Sequence, residues 1–326
     1  MIDQWYHKIF SVTPDNFEEL SLEIFRFQYS NNAVYRSYAD ALQIRSGEVQ
    51  HIHQIPFLPI ELFKAHAIKT TEFDPVKIFE SSGTTGGETS RHYVKDISLY
   101  EESFTRCFEF FYGPVKDHCI LGLLPSYLER NNSSLVYMTE KLIHLSEHPQ
   151  NDFYLNEFEK LFAVLNELEK RKQKTLLLGV TFALLDFAEK FSLELKHTTV
   201  METGGIKGRR EEITREEVHS ILKPAFGVDN IHSEYGMTEL LSQSYSQKDG
   251  IFNSPPWKKI MVRDEEDPFL VKTIGVGAVN VIDLANIYSC CFIATDDVGK
   301  IHEDGSFEIS GRMDNSDLRG CSLLIT

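Results

Sequence analysis

Thr175-Leu176-Leu177-Leu178-Gly179 is an apolar run of strand length, followed at 181–191 by a helical pattern and at 198–202 by a second strand. Thr214 with Glu217 three residues on is a capping-box signature for another helix, and 230–233 reads as a third strand. Strand–helix–strand–helix–strand implies parallel strands covered by helices. In such sheets ligands gather in the loops beyond the carboxyl ends of the strands. Thr203-Gly204-Gly205 and Tyr235-Gly236-Met237-Thr238-Glu239 both fall in loops of that kind, the second with a helix expected after it.

Towards the N-terminus, Thr13-Pro14-Asp15 opens an amphipathic helix with Phe17, Leu20, Ile24 and Phe27 on one face. A second helix is expected over 33–44, and Ile55-Pro56-Phe57-Leu58-Pro59 reads as a turn-rich connector to a short helix at 61–64. Ser98 with Glu101 reads as the cap of a helix running to Phe111. Beyond Ser254-Pro255-Pro256 the period shifts to strands at 259–263, 268–272, 277–284, 290–295, 300–302 and 306–310, the last two joined by the turn Glu303-Asp304-Gly305. The fold class is therefore α/β, with helix-flanked, mostly parallel sheets and a β-rich C-terminal lobe. Residues 1–254 are expected to form the α/β body and 255–326 the β-rich lobe, packed as one compact unit.

The chain has 326 residues, 42% hydrophobic and 25% charged, the balance of a soluble globular protein. Lys and Arg number 33 against 49 Asp and Glu, a net charge of −16 that argues against nucleic acid as a partner. A nucleotide is not excluded, because a local loop and Mg²⁺ can overcome the global field. Cys107, Cys119, Cys290, Cys291 and Cys321 form no even framework and no Cys-x-x-Cys pair, which fits a reducing compartment. No leader of basic then apolar residues and no apolar run of about 18 residues is visible, so a cytoplasmic protein with no membrane span is expected.

Ser81-Ser82-Gly83-Thr84-Thr85-Gly86-Gly87 offers hydroxyls and closely spaced backbone N–H groups to phosphate oxygens. It lacks the Gly-Lys-Ser/Thr ending of a P-loop. Tyr235 offers a face for an adenine ring, Thr238 a donor to an α-phosphate, and Glu239 a ligand for Mg²⁺. Each segment alone reads better as plain structure, a turn in one case and a strand end with a helix N-terminus in the other. Taken together, in this order and followed by Asp297 and Arg312, they point to activation of a carboxylic acid by Mg-ATP. Elsewhere, His51-Ile52-His53 has no third metal ligand in view, and no Gly-x-Ser-x-Gly elbow is present.

Ser81–Gly87, Tyr235–Glu239, Thr295-Asp296-Asp297 and Gly311-Arg312-Met313-Asp314 resemble the ordered signatures of the adenylate-forming superfamily of acyl-CoA synthetases, aryl-acid ligases and insect luciferase. The resemblance implies that Ser81, Ser82, Gly83, Thr84, Thr85 and Gly86 cradle phosphates and that Gly204 and Gly205 border the adenine. It further implies that Tyr235, Gly236 and Thr238 contact the nucleotide, that Asp297 binds the ribose hydroxyls, and that Arg312 reaches ribose or phosphate.

A closer likeness, from about residue 55 onward, is to the acyl-protein synthetases of bacterial bioluminescence operons. It rests on Leu124-Pro125-Ser126-Tyr127-Leu128-Glu129-Arg130, Glu202-Thr203-Gly204-Gly205-Ile206-Lys207-Gly208-Arg209 and His232-Ser233-Glu234-Tyr235, continuing to Leu240-Leu241-Ser242-Gln243. Pro255-Pro256-Trp257 is similar to a segment of phenylacetate–CoA ligases. The likeness to the acyl-protein synthetases implies that a fatty acid is adenylated by ATP and that the acyl group moves to a cysteine near the C-terminus and on to a reductase partner.

Cys321 is the candidate acceptor, with Arg319 favouring its thiolate. The small C-terminal domain that carries the superfamily's transition-state lysine is expected to be absent, which leaves Lys207, Arg209 and Arg210 as stand-in cations. The hinge Asp314-Asn315-Ser316-Asp317-Leu318-Arg319 also lacks the usual lysine. Two alternatives remain at this level: a ligase for coenzyme A or a carrier protein, with Cys321 structural, and a non-catalytic nucleotide-binding scaffold.

Overall fold

The computed structural model describes residues 4–81, 89–124, 132–155, 157–204, 213–264 and 266–313. Among them thirteen strands join one sheet, parallel at one end and antiparallel at the other. The parallel end contains Cys119–Leu123, Thr175–Val180, Thr198–Thr203 and His232–Tyr235, side by side. Their apolar runs are buried on both faces, as parallel strands under two helical layers must be. Alternation decides which side each residue serves. Leu176 and Leu178 face Phe104 and Phe108 of the helix Ile97–Tyr112 together with Met138 and Leu142 of Ser134–Ser146. Leu177 faces Leu161 and Leu165 of Phe158–Lys170, Phe187 of Thr181–Ala188, and Leu222 and Phe226 of Arg215–Phe226. The expected α/β architecture is the one found.

At His232–Tyr235 the sheet changes sense. Ser244–Ser246 pairs with it antiparallel, and Phe252–Asn253, Phe307–Arg312, Phe292–Ile301, Gly275–Asp283 and Lys258–Arg263 follow in antiparallel order. The helix Phe17–Asn31 packs against this end. Phe25 lies edge-on to Phe292 at 6.3 Å, and the Gln28 carboxamide donates to the Ile287 carbonyl at 2.9 Å while accepting from the Cys291 N–H at 2.9 Å.

Four local expectations are revised. Leu58–Pro59, read as connector, pairs in parallel with Ile293 and Ala294. The helix expected over 33–44 spans Ala33–Ala41. The helix Ile97–Tyr112 is capped by Asp96, whose carboxylate accepts from the Ser98 N–H at 2.9 Å, two residues earlier than Ser98 itself suggested. The two strands expected at 290–295 and 300–302 are one strand, Phe292–Ile301. Asp296 and Asp297 look like turn residues in sequence, but Asp297 stands opposite Arg312 across the ladder and pairs with it. No helix among the described residues is long and apolar enough to cross a membrane.

Candidate active site

Thr203 and Tyr235 end neighbouring parallel strands whose registers match Thr203 to Glu234, so the Gly204 loop and the Tyr235–Glu239 segment begin side by side. Gly204 takes φ +70°, a left-handed turn natural to glycine. Gly236 is glycine for a different reason: a Cβ there would collide with the carboxylate of Glu234. No helix follows Glu239. The chain turns and enters Ser244–Ser246, because its N–H groups are taken by a side chain from elsewhere. Both oxygens of Asp283 serve it: Oδ2 accepts from the N–H groups of Leu241 (2.8 Å) and Ser242 (2.9 Å), and Oδ1 from the Ser242 hydroxyl (2.6 Å). The Asn286 carboxamide donates to the Glu239 carbonyl at 2.6 Å.

One end of the candidate site is a hydrogen-bonded trio. The Tyr235 hydroxyl donates to Asp297 Oδ2 at 2.7 Å, and Arg312 Nε donates to Asp297 Oδ1 at 3.2 Å. Three residues from three strands thus meet on one carboxylate. The Tyr235 ring is set edge-on to Phe252 and Phe307, at 5.9 and 5.8 Å, with Lys258 Nζ 5.3 Å from its centroid. Burial and the Asp297 carboxylate push the Tyr235 phenol well above its ordinary value, so it stays a donor.

At the other end of the motif, Glu239 is buried, and burial raises its carboxyl. A hydrogen bond from Ser90 and the charges of Arg312 and Lys64 oppose that rise. Ser90 follows the Ser/Thr/Gly loop and closes its base: the Ser90 N–H donates to Ser81 Oγ (2.9 Å), and the Ser81 N–H to the Ser90 carbonyl (3.1 Å). His92, pushed down to about 4 by burial and therefore neutral, lies with Nδ1 2.8 Å from the Thr238 carbonyl. The exit side of the loop, Ser90 and His92, therefore stands against Glu239 and Thr238, and Arg312 acts on both Asp297 and Glu239.

The structure thus brings Ser81, Tyr235, Gly236, Thr238, Glu239, Asp297 and Arg312 into one region, with Gly204 on the adjoining strand end. Ser82, Gly83, Thr84, Thr85, Gly86, Gly205, Lys207 and Cys321 lie outside the described residues. Among the described residues no three His, Cys, Asp or Glu side chains form a metal cluster. A single carboxylate beside a phosphate loop nevertheless suits Mg²⁺, which takes one or two carboxylates and completes its shell from phosphates and water. Glu239 fits that requirement, since it is buried, faces the loop's exit strand and gains from a nearby cation.

Asp283, Asn286, Lys258 and Trp257 were not legible as site residues. Lys258 is 4% exposed, donates to the Ser242 carbonyl at 3.0 Å, and is lowered to about 8 by burial against the opposing pull of Asp283 and Glu234. Trp257 Nε1 lies 3.0 Å from Ser103 Oγ and 3.1 Å from Ser242 Oγ. The Pro255-Pro256-Trp257 likeness marked this stretch without giving its role; nothing in the sequence marked Asp283.

Comparison with known proteins agrees with the resemblance. The chain is 23% identical to the long-chain-fatty-acid–luciferin-component ligase of Aliivibrio fischeri, over 94% of this chain and 86% of the relative. It is likewise 23% identical to the Vibrio harveyi ligase of the same name, over 92% and 84%. Among solved structures, 2-hydroxyisobutyryl-CoA ligase with 2-HIB-AMP and CoA aligns at TM-score 0.67, with 12% identity, 92% of this chain and 68% of that one covered. ATP-bound MatB from Rhodopseudomonas palustris aligns at TM-score 0.55 with 19% identity over 72% of this chain, which spans 47% of MatB's length. These two likenesses establish a shared fold. The sequence model of the acyl-protein synthetase family LuxE matches residues 14–326, and the chain belongs to that family of ligases.

Proposed function

We propose that the protein activates a long-chain fatty acid with ATP, forming acyl-AMP and pyrophosphate, and then passes the acyl group to a thiol. The observation that carries this reading is the meeting of Tyr235, Arg312 and Asp297 on one carboxylate, beside a buried Glu239 against the base of the Ser/Thr/Gly loop. The ligase relatives named above support the choice of acid.

In this mechanism Asp297 accepts the ribose hydroxyls and Tyr235 supplies the wall for the base. Thr238 and the loop 81–87 bind the phosphates, and a carboxylate oxygen of the acid attacks the α-phosphorus while pyrophosphate leaves. Glu239 would hold Mg²⁺, whose chemistry is to offset charge on the phosphates. Fixed donors aimed at developing charge supply the largest share of such acceleration. Lys207 is the proposed replacement for the superfamily's lysine. Cys321 takes the acyl group as a thioester with release of AMP, for delivery to an acyl-reductase partner.

Fatty-acid-dependent exchange of labelled pyrophosphate into ATP tests the first half, and its absence with every acid sinks the activity. Labelled acid and ATP without coenzyme A test the second. Hydroxylamine-labile label on the protein, lost in Cys321→Ser, supports self-acylation, whereas label appearing only on added coenzyme A overturns it.

A further inference from the structure

The three elements that form the proposed nucleoside pocket share one internal brace. Glu202, 7% exposed, precedes Thr203 and Gly204 on the strand Thr198–Thr203. The Thr181 hydroxyl lies 2.9 Å from Glu202 Oε2 and 2.7 Å from the Gly204 carbonyl, so its one proton is shared between the carboxylate and Gly204. Glu202 Oε1 lies 3.4 Å from Arg215 Nε and 3.9 Å from His219 Nε2. Arg215 then reaches the antiparallel half: Nη1 donates to the carbonyl of Ile309 at 3.2 Å, three residues before Arg312 on the same strand. Its guanidinium carbon sits 5.1 Å from the Phe252 ring, which stacks on Phe307 at 5.4 Å and abuts Tyr235. Burial raises the Glu202 carboxyl, but His219, Arg215, Ser233 and Thr181 outweigh it and keep the carboxylate ionised.

We propose that the Thr181–Glu202–Arg215 chain is a positioning device for the nucleotide, fixing the Gly204 loop relative to Tyr235 and to the strand that carries Arg312. The proposal rests on the nucleotide-binding reading above. Glu202 is buried while Arg215 is partly exposed, and such an ion pair is a poor source of net stability, because desolvation offsets its attraction, but it fixes geometry well. Arg is suited to the task because its fork serves Glu202 and the Ile309 carbonyl at once, which an ammonium does not reproduce. The loop and strand it joins come from opposite halves of the sheet, and sites of this kind tolerate only small misplacement of their first contacts.

The test measures ATP affinity by calorimetry with Mg²⁺ present, steady-state constants for ATP and acid, and urea unfolding, on the full chain. Arg215→Ala and Thr181→Val are each expected to weaken ATP binding about tenfold, the loss of one charge-assisted or buried hydrogen bond. KM for ATP rises in step, while KM for the acid and kcat at saturating ATP stay within about twofold. Thr181→Ser keeps the hydroxyl and restores wild-type affinity, and Arg215→Lys recovers little.

Unchanged ATP affinity in folded Arg215→Ala and Thr181→Val overturns the proposal. So does a loss spread equally over acid KM and kcat that Thr181→Ser fails to rescue. If Arg215→Ala does not fold, the Thr181 pair decides alone. Failure of the wild-type chain to bind ATP overturns the parent reading and this one with it, whereas normal wild-type binding with a defect in Asp297→Asn alone overturns only this one.

Discussion

Asp283 and Asp297 stand on consecutive antiparallel strands and both reach back to the segment that starts at Tyr235, yet they do opposite things. Asp283 is 0% exposed, and its partners are the N–H groups of Leu241, Ser242 and Ala285 and the Ser242 hydroxyl, all fixed by the chain itself. Asp297 is 6% exposed, and among the described residues its carboxylate holds two side chains, the Tyr235 hydroxyl and the Arg312 guanidinium. A carboxylate saturated by backbone has nothing left for a ligand and serves to hold the turn. One held by side chains can exchange them for ligand hydroxyls. Identical chemistry becomes scaffold or site according to what fills its lone pairs.

The largest test of that contrast is Asp283→Ala. It strips the turn of its acceptor and leaves buried Lys258 with a single opposing carboxylate, Glu234, so stability should fall by about 3–5 kcal/mol in urea unfolding. A loss below about 1 kcal/mol would break the scaffold assignment.

Asp297→Asn should do the reverse. Its unfolding free energy should move by less than about 1 kcal/mol, because Arg312 is more than half exposed. ATP–pyrophosphate exchange should fall roughly 30-fold in kcat/KM for ATP, the worth of a charge-assisted hydrogen bond. Full activity in that variant would remove Asp297 from the site.

A smaller, pH-dependent effect belongs to Glu234, which burial raises to about 7 against the Thr203 hydrogen bond and the Lys258 charge. Between about 4.5 and 7 the folded state then holds a proton that the unfolded chain has lost. Its contribution is therefore present below about 4.5 and lost as pH rises through about 7. Glu234→Gln should flatten the fall in stability across that window and make the variant relatively more stable at pH 8 than at pH 4.5. An unchanged slope would show that Glu234 is ionised throughout.

A third aspartate sets the lower bound. Asp96 is half-buried and caps the helix Ile97–Tyr112, so Asp96→Ala should cost about 1 kcal/mol. Ser98→Ala should cost less than that, because Ser98 is the donor and not the cap. The opposite ranking would return the cap to Ser98.

Much of this was legible beforehand where the signal is local. The parallel strands announce themselves as apolar runs, and Thr214 with Glu217 forms the capping box as read. Tyr235, Glu239, Asp297 and Arg312 were singled out by type and order, and they converge. Long-range partners were not legible. Asp283 is an unremarkable residue at the end of a strand until Leu241 and Ser242 lie against it. Lys258 reads as a surface lysine until the Tyr235 ring and the Ser242 carbonyl close over it. The strand break expected around Asp296 and Asp297 failed for the same reason, since the partner that makes Asp297 a strand residue lies on another strand.

Periodicity and local hydrogen bonding act over a few residues, so the chain alone determined its helices, its parallel strands and the inventory of groups able to meet a nucleotide and an acid. Which carboxylate anchors the turn, which is held by side chains from other strands, and how Glu202 and Arg215 join two halves of the sheet were decided only in three dimensions. Burial and charge pairing depend on neighbours brought in from distant parts of the chain, and folding alone supplies those neighbours.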